Sequence, residues 1–257
     1  MILAPKMHIL SLRLCLYACV ATLLLVTGAK AEAPAEPPGC NAPAELLHDD
    51  PPLPNVSARL KSNGPLTIVA IGGGSTAGRA AGNPDLAYPR RLQDTLLQRH
   101  PSLKVVVINK GIPRQTAHDM VERFEKDVLS QSPSLVIWET GTVDAVRGID
   151  SSDFARTIQE GIDLLRSKPT DIILMDMQYS RSTATIINFD PYIEAMRRVA
   201  DLNDVFMFRR YDVMKYWRDI GVFNFDDVPK AEQAKMAIQV YDCIARRLAD
   251  AIEMDVH

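Results

Sequence analysis

The chain has 257 residues, of which 47% are hydrophobic and 24% charged, and it carries a formal net charge of −3. This is an ordinary globular composition with enough length for one sizeable core. A mild acidic excess leaves no electrostatic case for nucleic acid or an anionic membrane surface as a partner.

Residues 1–31 stand apart. A short start carrying Lys6 and Arg13 leads into an apolar run over 14–26, and Ala29-Lys30-Ala31 then forms a small-x-small cleavage site. The run is shorter than the roughly 20 residues that a membrane-spanning helix needs. The segment therefore reads as a cleaved secretory signal, and a periplasmic or secreted protein is expected, with membrane attachment only if the signal stays in place. Cleavage removes Lys6, Arg13 and Lys30 and no acidic residue, taking the net charge from −3 to −6. It also removes Cys15 and Cys19 and leaves Cys40 and Cys243. In an exported chain such a pair reads as a disulfide, here tying an N-terminal arm to the last helix. That arm, residues 32–63, is rich in proline and alanine and is expected to be extended.

From 64 to 257 two patterns alternate. Short apolar runs, bounded by polar or turn residues, occur at Leu66–Ile71, Val105–Asn109, Leu135–Trp138, Ile172–Met175 and Val205–Phe208. They read as fully buried strands. Between them the apolar residues fall at helical spacing. Leu92, Leu96 and Leu97 share a face, as do Met120, Phe124 and Val128, then Phe154, Ile158, Ile162 and Leu165, then Tyr192, Met196 and Val199. A final helix over about 231–252 carries Met236, Val240, Ile244, Leu248 and Ile252 on one side. Five strands alternating with helices predict an α/β three-layer sandwich around a parallel five-stranded sheet. Ligands of such sheets bind beyond the carboxyl ends of the strands, so chemistry belongs in the loops that follow them.

Three of those loops carry motifs. The first strand runs into Gly72-Gly73-Gly74-Ser75-Thr76-Ala77-Gly78, the second into Asn109-Lys110-Gly111, and the third into Glu139-Thr140-Gly141-Thr142-Val143-Asp144. In this order they resemble the G-D-S-L-T-x-G, N-x-G and G-x-N-D blocks of the SGNH/GDSL hydrolases, over roughly residues 64–252. The resemblance implies a flavodoxin-like SGNH hydrolase fold and, in intact members, metal-free cleavage of carboxylic esters through an acyl-serine intermediate. It also places Gly74 at the nucleophile position, one residue before Ser75. Gly111 falls at a glycine whose N–H helps to form the oxyanion hole. Val143 falls at an asparagine that donates to the same oxyanion, and loss of one such donor costs about 3 kcal/mol of transition-state stabilisation.

The family's D-x-x-H block, just before the last helix, aligns in two ways. One matches Asp226-Asp227-Val228-Pro229 and sets proline at the histidine. The other anchors on Tyr241-Asp242-Cys243 and sets Glu232 at the aspartate and Lys235 at the histidine. The mature chain's histidines (His48, His100, His118 and His257) all lie in other segments, with His118 nearest in sequence to a cleft loop. The expectation is an exported family member with an eroded catalytic set, weakly active or non-catalytic, that binds an envelope glycan or an acyl ester. The alternative is an active esterase with Ser75 as nucleophile and Lys235 as base, which requires a lysine pKa lowered far below its ordinary 10.4 or so. Gly74, Thr142 and Asp144 are candidate ligand-binding positions beside Gly111, and Glu139 could hydrogen-bond a sugar. Arg79, Lys110 and Arg114 could meet an anion. Gly73 to Gly78 also comes near a phosphate-binding G-x-x-x-x-G-K-[ST] loop, but Arg79 and Ala80 replace its lysine and hydroxyl. No cofactor or metal is expected, because the histidines are scattered and the cysteines pair.

Overall fold

The computed structural model describes residues 39–47, 51–224 and 226–254. The expected signal segment, His48 and His257 lie outside them. All five apolar runs are strands: β1 (Leu66–Gly72), β2 (Val105–Gly111), β3 (Leu135–Glu139), β4 (Asp171–Met175) and β5 (Phe206–Phe208). They form one sheet in the order β2-β1-β3-β4-β5, every pair parallel, with Leu66 beside Val105, Ile68 beside Leu135 and Ile173 beside Phe206. The order reverses at β1, so the crevice beyond the ends of β1 and β3 is the place for a ligand.

Each buried strand feeds two cores because successive side chains alternate faces. Ile68, Ala70, Ile137, Ile173 and Phe208 enter one core. Val69, Ile71, Val136, Trp138 and Leu174 enter the other. The first is covered by α1 (Pro54–Lys61), α2 (Tyr88–Arg99), α9 (Arg210–Asp219) and α10 (Gln233–Glu253). The second is covered by α3 (Ala117–Val121), α4 (Phe124–Asp127), α6 (Ser151–Leu165) and α8 (Asp190–Leu202). Two short helices, α5 (Thr142–Arg147) and α7 (Arg181–Ala184), start just past the strand ends. The three-layer expectation holds.

Two local expectations need correction, and one helix was not anticipated. The arm is not extended throughout, because Pro54–Lys61 is helical and buries Val56 and Leu60. Pro54 sits at a first-turn position, where its missing N–H costs nothing, and the Asp171 carboxylate accepts from Val56 N and Asn55 Nδ2 at 2.8 and 2.7 Å. The Met120–Phe124–Val128 face belongs to two short helices rather than one, although all three residues are buried together. Finally, α9 follows β5 and buries Val213, Met214 and Trp217. Its indole Nε1 donates to Asn41 O at 2.8 Å, which docks the arm. The bridge between Cys40 and Cys243 is formed, and both cysteines are buried.

Candidate active-site cleft

The loops after β1 and β3 and the start of α10 enclose a cleft of about 740 Å3. Gly73, Gly74, Ser75, Glu139, Thr140 and Thr142 are among its lining. Beneath it lies a buried polar network centred on Glu139, which is 4% exposed at the end of β3. Its carboxylate accepts from Gly73 N at 2.9 Å and Thr76 Oγ1 at 2.9 Å through Oε2, and from Arg210 Nη2 at 3.1 Å through Oε1. Arg210, at the start of α9, is itself 2% exposed, so the pair neutralises two charges that could not be buried singly. Tyr88 Oη joins Thr76 Oγ1 at 3.2 Å, and burial raises its phenol well above the ordinary range. The network fixes the glycine loop from below.

Two glycines are required by this packing. A Cβ on Gly72 would come within 2.2 Å of Thr76 Oγ1 and 2.7 Å of Glu139 Oε2. One on Gly111 would meet Ala77 N at 2.3 Å, because the end of β2 lies directly under the loop. The Gly111 N–H is donated to Asn109 Oδ1 at 2.9 Å, while Asn109 Nδ2 donates to Thr76 O at 2.7 Å. Gly111 therefore has a packing place beneath the loop and does not line the cleft. Gly74 is different. A Cβ there would meet only the Arg79 stem, at 3.8 Å, so a side chain at that position has room.

Ser75 faces the cleft, with its side chain largely buried. Its Oγ donates to Gln178 Oε1 at 2.9 Å. An amide oxygen cannot hold a proton near neutral pH, so it cannot act as a general base. Tyr241 also borders the cleft, and its hydroxyl is raised mainly by burial, with Arg210 pulling it down and a hydrogen bond with Ser75 also lowering it. A phenol so placed stays protonated. Glu232 and Lys235 are both exposed at the start of α10 and do not line the cleft, so the structure does not bring them to Ser75. In the other alignment, Asp226 accepts from Ser182 N at 2.9 Å and likewise lies away from the cleft.

The remaining candidates divide. Thr142 and Val143 line the cleft, and the buried Thr140 and Thr142 hydroxyls have no partner among the described residues. Asp144 turns away, its two carboxylate oxygens accepting from Ala117 N at 3.1 and 3.2 Å, and burial raises its pKa. It anchors the start of α3. Arg79 lines the cleft. Lys110 pairs with Asp127 at 3.6 Å, and Arg114 lies outside, its carbonyl accepting from Arg147. His118 is exposed, 3.6 Å from Glu122. Among the described residues no group of three or more His, Cys, Asp or Glu could hold a metal.

Sequence reasoning missed Gln178, Lys230 and Arg210. Gln178 lies three residues past β4, so the rule that sites lie beyond strand ends points to its loop. Nothing local marks Arg210, whose partner Glu139 is 71 residues away.

A model of the non-GDSL lipase-like family matches residues 39–257. Among solved structures, a G-D-S-L family protein from Desulfitobacterium hafniense DCB-2 is 22% identical, with a TM-score of 0.53, covering 70% of this chain and 98% of its own. A variant of an acetyl xylan esterase from Geobacillus stearothermophilus is 18% identical with a TM-score of 0.61, covering 73% and 94% respectively. An alpha/beta hydrolase enzyme from the metagenome of Lake Arreo gives 18% and 0.61, covering 75% and 96%. These likenesses show the fold. No functionally curated protein matches the chain.

Proposed function

The chain belongs to the non-GDSL lipase-like family of the SGNH/GDSL hydrolase superfamily, and we propose that it is an exported member that binds an acyl-bearing or glycan ligand in its cleft with little or no ester hydrolysis. One observation carries this reading: the hydroxyl facing the cleft is bonded to an amide oxygen, with no usable base beside it. Gly74 stands where the family's attacking serine would stand, and Val143 has no donor to offer an oxyanion. Losing nucleophile and base together costs several orders of magnitude in rate. The Cys40–Cys243 bridge supports an oxidising compartment.

The exposure of Ser75 to the cleft favours a second reading, an esterase using that hydroxyl. It requires a base, and the cleft lining offers the Glu139 carboxylate, already held by Gly73, Thr76 and Arg210, and the exposed amine of Lys230. Turnover of p-nitrophenyl acetate and butyrate separates the two. The binder reading expects rates at the buffer background, equal in the native chain and in Ser75→Ala. A kcat/KM well above background that vanishes in Ser75→Ala would establish the esterase.

A further inference from the structure

A second hollow opens beside the cleft, about 320 Å3 in volume, and the two share Ala80, Gln178, Gln233 and Tyr241. Its own walls are mostly apolar, with Tyr179, Met214 from α9, Val228, and Met236, Ala237 and Val240 from α10. The one aliphatic hydroxyl, on Ser180, is donated to Thr183, and no charged residue lines the hollow. The cleft has the opposite character. Arg79 and Lys230 both line it, and neither has an ion-pair partner among the described residues. Its one carboxylate, Glu139, is already neutralised by Arg210. An anion entering the cleft therefore meets two uncompensated cations.

The floor adds hydrogen-bond donors. The turn after Gly73 spends its carbonyls on Ala77, Arg79 and Gly78 N–H groups, while among the described residues no acceptor takes the N–H of Gly74 or Ser75. Thr140, 2% exposed, has a hydroxyl without a partner on the same wall. A polar atom left unpaired at the cleft floor is unfavourable, so these groups gain most from a ligand that accepts several hydrogen bonds at once.

We infer that the ligand is an amphiphilic carboxylate, a free acid rather than its ester. Its head lies among Gly74, Ser75, Arg79 and Lys230, and its alkyl chain lies in the adjoining apolar hollow. The inference rests on the binder reading above and narrows it to one chemical class. A neutral ester would gain from the hollow but not from the two cations. An alkylammonium would be repelled by them.

Three probes of equal chain length test this on the full chain: octanoate, octan-1-ol and octylammonium, with dissociation constants measured by titration calorimetry. Octanoate is expected to bind at least about tenfold more tightly than octanol, as hydrogen bonds to a charged group require, and octylammonium not at all. From butanoate to octanoate, each methylene should tighten binding roughly fourfold until the hollow is filled. Arg79→Gln and Lys230→Gln should each weaken octanoate roughly two- to fivefold while leaving octanol unchanged, a readout that a misfolded variant could not give. Met236→Asp should flatten the chain-length series. Equal binding of octanol and octanoate would overturn the carboxylate and leave the binder reading intact, and failure of all three probes would overturn the inference entirely. Acyl transfer to Ser75 from an ester probe would instead overturn the reading beneath it, so the two failures are distinguishable.

Discussion

The two sides of the cleft are built differently. On one side, the loops after β1, β2 and β3 sit on a buried network in which Glu139 holds Gly73, Thr76 and Arg210, and Gly72 and Gly111 allow backbones to touch. On the other, the segment entering α10 presents Lys230, Glu232 and Lys235 to solvent, and the helix simply begins at Gln233 without a side-chain cap. The packed side is what the fold needs in order to exist. The open side carries exposed charges that the core does not fix.

Substitutions can break this contrast, beginning with the largest effect. Arg210→Ala should leave Glu139 as an unpaired buried charge and cost about 3–5 kcal/mol in urea unfolding. A loss below about 1 kcal/mol would mean that the network does not brace the loop. Gly111→Ala forces Ala77 to move and should cost roughly 1–3 kcal/mol by the same measurement.

A pH effect sharpens the same side. Asp176 is fully buried just past β4, where its Oδ1 accepts from Tyr211 N at 2.8 Å. Burial pushes its carboxyl up to about 7, against the lowering effects of the Tyr211 N–H, Arg210 and Arg197, with Asp212 raising it further. Because an unfolded aspartate titrates near 3.9, the native state binds more protons between about pH 4 and 7, and this group's contribution to stability falls as pH rises through that window. Asp176→Asn keeps the acceptor for Tyr211 and removes the ionisation cost. Its melting temperature should exceed the native value by at least about 3 °C at pH 8, with a much smaller difference at pH 4. An equal shift at both pH values would contradict the assignment.

The smallest effects belong to the open side. Glu232→Ala and Lys235→Ala should each stay within about 0.5 kcal/mol of the native chain, as exposed positions do. Gly74→Ser should also be tolerated, since the Arg79 stem leaves room at 3.8 Å, and on the binder reading its turnover of p-nitrophenyl acetate should stay at the buffer background.

The strands were legible nearly to the residue, because runs buried on both faces, as in β1, β3, β4 and β5, have little polar alternation to blur them. Strand β2 departs from the expectation of full burial, since it lies at the sheet edge and Val106 is 52% exposed. Helices α6, α8 and α10 were legible for the complementary reason, a clean apolar stripe. Helix α9 was not, since Val213, Met214 and Trp217 are interleaved with Asp212, Lys215 and Arg218. In the cleft, the glycine loop and its β3 partner were readable from motif order. Burial decided the rest. Asp144 and Glu139 look alike in sequence, but one anchors a helix and the other holds the cleft floor. Lys235 aligned with a catalytic position yet points to solvent, because α10 starts two residues before it.

The account stands on Ser75 being an unactivated hydroxyl. Incubating the full chain with a fluorophosphonate and weighing the intact protein tests that directly. The native chain should remain unmodified over hours at neutral pH, as should Ser75→Ala. A stoichiometric adduct on the native chain, mapped to Ser75 and absent from Ser75→Ala, would contradict it.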